Sequence, residues 1–283
     1  MNQKEYDLTV AYRIYPFISK VPPIFPDNKL GLVEACVRSF KESLGSLKVK
    51  VFFLLDICPP EFVTAIKKYF PEEDVEFREY KDRKGNFGTF KEQIEILSNQ
   101  NYSELVYFAE DDYIYLPNAL EDLVKFMKDT PQADFSTPYD HPDYYHSLYH
   151  DYKAKVTYDS TRHWRTGAST TLTLMTRKSI LKETASTLRS YSQENKDICV
   201  WMALTKINVW NFWKPLRYIL SQRWIFGYFR RTWQFNWMQI LFGKAYSLWV
   251  PMPTLAAHME SDFLPPLVDW ETYFKQYYND KGK

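Results

Sequence analysis

Cysteine is scarce in this chain: Cys36, Cys58 and Cys199 are the only three, and they form neither a CxxC pair nor a zinc-ligand spacing. That excludes a disulfide framework and a zinc cluster, and it suits reduced, mostly buried thiols in a cytosolic protein. No uninterrupted apolar run is long enough to span a bilayer, and Met1 to Asp7 is polar, without a signal-peptide core. An excess of one charge is also missing. Thirty-six Lys and Arg face thirty-five Asp and Glu, for a formal net charge of +1, which argues against a general nucleic-acid binder. The expected location is cytoplasmic, with contact to the inner membrane surface left open.

Aromatic residues, in contrast, are abundant, at 18% of the 283 positions. The length suits one large domain or two small ones. No flexible linker divides it, so a single domain over 1–283 is expected. Its parts are 1–128, 129–205 and an aromatic, helical 206–283. In the first part, strand and helix patterns alternate. Leu8 to Ile14 and Asp74 to Tyr80 read as strands, and Lys50 to Leu55 as a continuous apolar strand closed by Asp56. Val33, Cys36, Val37, Phe40 and Leu44 recur at helical spacing, and a further helix follows Pro59-Pro60. Thr89 with Glu92, and Asn118 with Glu121, have capping-box spacing. Strands separated by helices imply an α/β fold with a mostly parallel sheet, whose ligands bind beyond the carboxyl ends of the strands.

The fourth strand, Leu105 to Ala109, runs straight into Glu110-Asp111-Asp112, and apolar residues resume at Tyr113. Carboxylates are costly to hold beside a core, so such a cluster calls for cations. Alternation places Glu110 and Asp112 on one face and Asp111 on the other. Two oxygen ligands on one face suit Mg²⁺ or Mn²⁺ held together with substrate phosphates.

These features together resemble the GT-A fold of nucleotide-sugar glycosyltransferases, of the family 2 type, strongly over 7–128 and loosely beyond. Val10-Ala11-Tyr12-Arg13 is similar to the first strand and its nucleotide-contacting end. Asp56 matches the acid that recognises the nucleobase, and Gly85-Asn86-Phe87-Gly88 the turn before a donor-site helix. Glu110-Asp111-Asp112 matches the DxD-type metal motif, with Glu in the first position. Two departures stand out. Ile57-Cys58-Pro59 follows Asp56 where small polar residues are usual, and the helix after Gly88 lacks an Ala-Arg-Asn segment. Nucleobase and donor specificity are therefore not transferred.

The resemblance implies a metal-dependent, inverting transfer of a sugar from a nucleotide-diphosphate donor to a hydroxyl of a glycan or glycolipid. It makes Tyr12, Arg13, Asp56, Asn86, Glu110 and Asp111 donor-site candidates. Asp112 would be the direct ligand of Mn²⁺ or Mg²⁺. His258, late in the chain, is the second ligand candidate, against a surface or core histidine. An inverting enzyme needs a general base. Asp197, at the start of the apolar run Ile198 to Leu204, is that candidate, with Glu194 as substitute and a plain helix cap as the alternative. Pro138 to His146 reads as an aromatic loop over the site. Trp164 and Arg165, ahead of a strand expected over Ser169 to Met175, are acceptor-side candidates, Arg165 equally an ion-pair partner.

Two other classes fit parts of the pattern. A nucleotidyltransferase could use the same sheet, but no glycine-rich, Arg-containing loop lies near the first strand. A non-catalytic carbohydrate- or membrane-binding protein could keep the fold. For that class the stretch Ile198 to Met259 matters, because it holds no acidic residue while Lys and Arg alternate with Trp, Phe and Tyr. Such a segment is either a membrane-interface element or a helical region packed on the sheet. Stacking on single-stranded nucleic acid is disfavoured by the neutral chain.

Overall fold

A computed structural model describes residues 6–146, 150–193, 195–217 and 223–278. Four strands form the first half of the sheet: β1 (Leu8–Ile14), β2 (Val49–Asp56), β3 (Val75–Tyr80) and β4 (Leu105–Glu110). The helices α1 (Lys29–Ser43), α2 (Pro60–Lys67) and α3 (Gly85–Asn99) connect them. The strands pair in parallel in the order β3-β2-β1-β4, as right-handed crossovers require.

After β4 come β5 (Tyr113–Tyr115), α4 (Ala119–Asp129), β6 (Phe135–Ser136), the short α5 (Asp143–His146), β7 (Val156–Tyr158), β8 (His163–Thr166) and β9 (Leu174–Arg177). The chain then forms α6 (Lys178–Arg189), α7 (Asp197–Thr205), α8 (Trp213–Arg217), α9 (Arg223–Phe242), β10 (Leu248–Met252), β11 (Ala256–His258) and α10 (Trp270–Tyr278). The nine-stranded sheet continues from β4 as β9-β6-β10-β8-β7, and only β8 and β9 run against the other strands. The α/β class and the mostly parallel sheet are as expected. The stretch 206–283 does more than extend the fold with helices, since β10 enters the large sheet between β6 and β8.

Both faces of the sheet are covered, which is why its central strands read as continuous apolar runs. Val10, Tyr12, Val51, Phe53 and Tyr107 pack under α1 and α4 through Phe40 and Leu123. Ala11, Phe52, Leu54 and Phe108 pack on the opposite side under Phe90, Ile94 and Leu97 of α3, with Trp201 of α7. A separate cluster, Ile24, Cys36, Ile114, Met259, Trp270 and Phe274, clamps α10 on a two-stranded ribbon of β5 and β11. The Tyr273 hydroxyl adds a 2.8 Å hydrogen bond to the Tyr115 carbonyl.

Three local expectations are corrected. Helix α3 begins at Gly85, so Thr89 sits in its second turn and its hydroxyl returns to the Gly85 carbonyl. Helix α4 does start after Asn118, but that residue adopts a left-handed backbone with no side-chain cap, and Glu121 instead receives the Ser46 amide and hydroxyl. The strand expected from Ser169 starts only at Leu174. The preceding threonines spend their hydroxyls on cross-links, Thr170 to Thr137 and Thr173 to Glu110.

Candidate functional site

The carboxyl ends of β1, β2 and β4 open onto one cavity of about 220 Å³, lined by Arg13, Lys29, Asp56, Asn86, Asp111 and Asp112 among others. The register of β1 on β4 sets Arg13 beside Glu110. Their side chains form a part-buried ion pair, and the second Glu110 oxygen accepts the Thr173 hydroxyl at 2.9 Å. Asp111 accepts the Tyr15 amide at 2.8 Å and pairs with Lys29 at 2.9 Å. Both acids are pushed up by burial, against the pull of Arg13 and Lys29 respectively.

Asp112 differs from its neighbours. Its Oδ2 lies 3.2 Å from His258 Nε2, while its buried Oδ1 has no hydrogen-bond partner among the described residues. Burial would raise Asp112, but His258, Lys29 and Arg13 together hold it well below the usual carboxylate range. In turn, burial would lower His258, and the adjacent Asp112 more than offsets this, so its imidazole is raised. Strand pairing explains how residues 146 positions apart meet: β11 runs antiparallel to β5 with His258 opposite Tyr113. Glu260 reaches the other ring nitrogen, Nδ1, at 3.6 Å.

Asp56 holds the cavity from the side. Its two oxygens accept the Lys84 and Gly85 amides at 2.7 and 2.8 Å, so it caps α3 from outside that helix. Gly85 has φ +64°, a conformation that suits glycine and turns the chain toward Asp56. Asn86, on the first turn, is exposed at the cavity rim.

A second cavity, of about 260 Å³, is lined by Tyr139, His141, Tyr144, His150, Asp197 and Trp224 among others. Asp197 is the first residue of α7, and its carboxylate accepts the Ile198 amide at 2.7 Å. Burial raises its pKa despite that bond. Burial likewise lowers His150, to about 3. Tyr139 contacts both His141 and His258, and His141 is lowered first by burial and further by the charge of His258. Burial pushes the Tyr191 phenol up to about 12, and the charges of Arg13, Asp197 and Glu110 all act on it. Glu194 lies outside the described residues.

Two candidates are turned into the core. Tyr12 is fully buried against Phe40 and Phe53, because neighbours on a strand face opposite ways and Arg13 takes the cleft. Trp164 is fully buried too, stacked on Phe126 at 3.9 Å, with its indole nitrogen donating to Asp159 at 2.7 Å. Trp164→Ala should cost about 3–5 kcal/mol of stability, read by urea denaturation, and leave ligand affinity unchanged in the folded fraction. Arg165 stands behind the cavity wall. It pairs with the buried Asp140 at 2.8 Å and lies 4.3 Å over the Tyr144 ring.

Sequence reasoning missed Lys29 and Arg83. Lys29 had a signal, since a cation in the first turn of a helix opposes the macrodipole and wants an anion. Arg83, over the Tyr15 ring at 5.2 Å, gave none. His141 lies in the loop expected over the site, and it does line the second cavity. Among the described residues no group of three or more His, Cys, Asp or Glu is disposed to hold a metal ion.

No protein-family model and no curated protein matches the chain. Among solved structures it is similar to S. aureus TarS, at TM-score 0.43 and 12% identity, over 72% of this chain and 40% of that one. It is also similar to the 1–349 fragment of TarS with UDP, at TM-score 0.45 and 14% identity over 69% and 54% of the two chains. For the same fragment with UDP-GlcNAc the values are 0.43 and 12%, over 63% and 47%. The chain thus spans about half the length of these structures. Similarity of this degree decides neither substrate nor chemistry, which rest on the residues themselves.

Proposed function

We propose that this protein is a GT-A-type, inverting glycosyltransferase that moves a sugar from a nucleotide-diphosphate donor to a hydroxyl of a glycan or glycolipid. One observation carries the reading. The only carboxylate of the acidic triplet with an unpartnered buried oxygen, Asp112, faces the strand-end cavity with His258 at its side.

Asp112 and His258 are the residues that would hold Mn²⁺ or Mg²⁺. Asp112 Oδ2 and His258 Nε2 stand 3.2 Å apart, an oxygen and an imidazole nitrogen that would serve as ligands. The ion's chemistry is to offset the charge of the departing diphosphate. Glu110 has both oxygens committed, to Arg13 and Thr173, and Asp111 has Oδ2 held by Lys29 and the Tyr15 amide, so they orient the cleft.

The donor diphosphate lies beside Lys29 and Arg83, and the nucleoside end lies along Asp56 and Asn86. The acceptor occupies the second cavity. Its hydroxyl oxygen attacks the anomeric carbon and its proton passes to Asp197. The bond to the diphosphate oxygen breaks with its electron pair leaving on the phosphate. Aromatic faces of Tyr144 and Trp224 suit the apolar face of a sugar ring.

A thermal-shift panel of UDP-, GDP-, CMP- and dTDP-linked sugars, with Mn²⁺ or with EDTA, tests this reading. One donor at about a hundredfold its Kd should raise Tm by roughly 5–10 °C with Mn²⁺ and little with EDTA. Equal shifts in EDTA would remove the metal, and no shift with any donor would remove the donor site.

A further inference from the structure

We propose that the outward side of α9 is a docking surface for an anionic lipid bilayer. A helix on the surface of a globular protein is ordinarily apolar on one side only. In α9 both sides are apolar. Inward, Phe229, Trp233 and Ile240 pack against Met202 and Ala203 of α7 and against Val209. Outward, Trp224, Trp237, Met238, Leu241 and Phe242 are exposed, Phe242 to 78% and Met238 to 63%. Asn236 breaks helical geometry between the two halves, yet both halves keep their inner residues on that same cluster. Just before α9 in the chain, Trp213 of α8 is 82% exposed.

Charge selects the occupant. The chain from Ile198 to Met259 has no carboxylate, and Arg223 and Arg230 stand exposed on the same helix as the bare aromatics. Aromatics and arginines on one amphipathic helix are what an interface between anionic headgroups and acyl chains binds. A second copy of this chain is a poor occupant, because an isologous dimer would set these arginines against their own copies. Insertion across the bilayer is also excluded for α9, since no described helix is long and apolar enough.

The location has a consequence. Trp224 and Tyr228, from the first turns of α9, line the Asp197 cavity. Docking along α9 would bring that cavity to the lipid surface. On the glycosyltransferase reading, the acceptor is then lipid-borne; the docking itself does not depend on that reading.

Vesicle flotation of the purified chain tests the surface, using phosphatidylcholine alone or mixed with phosphatidylglycerol. The protein should float with the anionic vesicles, weakly with neutral ones, and less in high salt. Arg223→Gln with Arg230→Gln should weaken partitioning about 30-fold, from roughly 1 kcal/mol per basic residue. Trp237→Ser with Phe242→Ser should release the protein from both vesicle types while donor-induced thermal stabilisation stays intact. Stabilisation without flotation would overturn the docking surface and leave the proposed function standing. Flotation unaffected by either pair would also overturn it, as would a concentration-dependent dimer that Trp237→Ser and Phe242→Ser disperse.

Discussion

Asp112→Asn should lower donor turnover by about 10²–10³-fold while the protein stays folded, the scale of losing one preorganised electrostatic partner at a developing charge. Three adjacent acids invite the assumption that all three share one task. Their partners say otherwise: Glu110 has both oxygens taken by Arg13 and Thr173, while Lys29 and the Tyr15 amide share one oxygen of Asp111. Only Asp112 keeps a buried oxygen without a partner. Asparagine preserves its size and removes its charge, so packing around Tyr113 and His258 is retained. The variant is checked by steady-state turnover beside circular dichroism, and normal turnover would sink the assignment of Asp112. The metal-dependent part of the donor-induced thermal shift should vanish with it.

Asp197→Asn should cut kcat by about 10²–10⁴-fold, the range for a positioned general base, and leave donor affinity unchanged. The pH dependence has a definite sign. A base works only when ionised, and burial raises the Asp197 pKa above the aspartate value of 3.8. The acidic limb of kcat/KM therefore lies above that of an ordinary aspartate, and it disappears in the variant. Stability moves the opposite way. The folded state binds this proton more tightly than the unfolded chain does, so the stability contribution is present at low pH. It is lost as pH rises through the raised pKa. Asp197→Asn should then fold as well as or better than the parent at neutral pH. A variant with full transfer activity would move the base elsewhere.

Much of the frame was legible. The spans Leu8–Ile14 and Pro60 onward, the apolar strand ending at Asp56 and the strand delivering the acids were all set by alternation, helical period and proline placement. Arg13, Asp56, Asn86, Asp111 and Asp112 do line one cavity, because parallel strands put their carboxyl ends on one edge. The failures have a common origin. Thr89 and Asn118 carried capping spacing, but the helix α3 is capped by Asp56 from a different strand, which no local pattern announces. Tyr12 and Trp164 each sat next to a polar residue of interest, and the alternation of a strand turned each into the core instead. The threonines before Leu174 looked like a strand because β-branched residues favour one. Their hydroxyls found better partners across the sheet.

By itself, the sequence determined the α/β class, the edge of the sheet where chemistry gathers and the acid-free aromatic segment. These depend on spacing within a few residues, where steric preference and burial leave a readable period. Only the tertiary structure decided which of three consecutive carboxylates keeps a buried oxygen without a partner, and that His258 stands beside it. It also decided that Asp197 lines a cavity with Tyr139, His141 and Trp224, and that α9 has a second apolar side facing outward. Each of those facts depends on contacts between distant segments, such as the β5–β11 pairing. No local pattern records which distant partner each group meets.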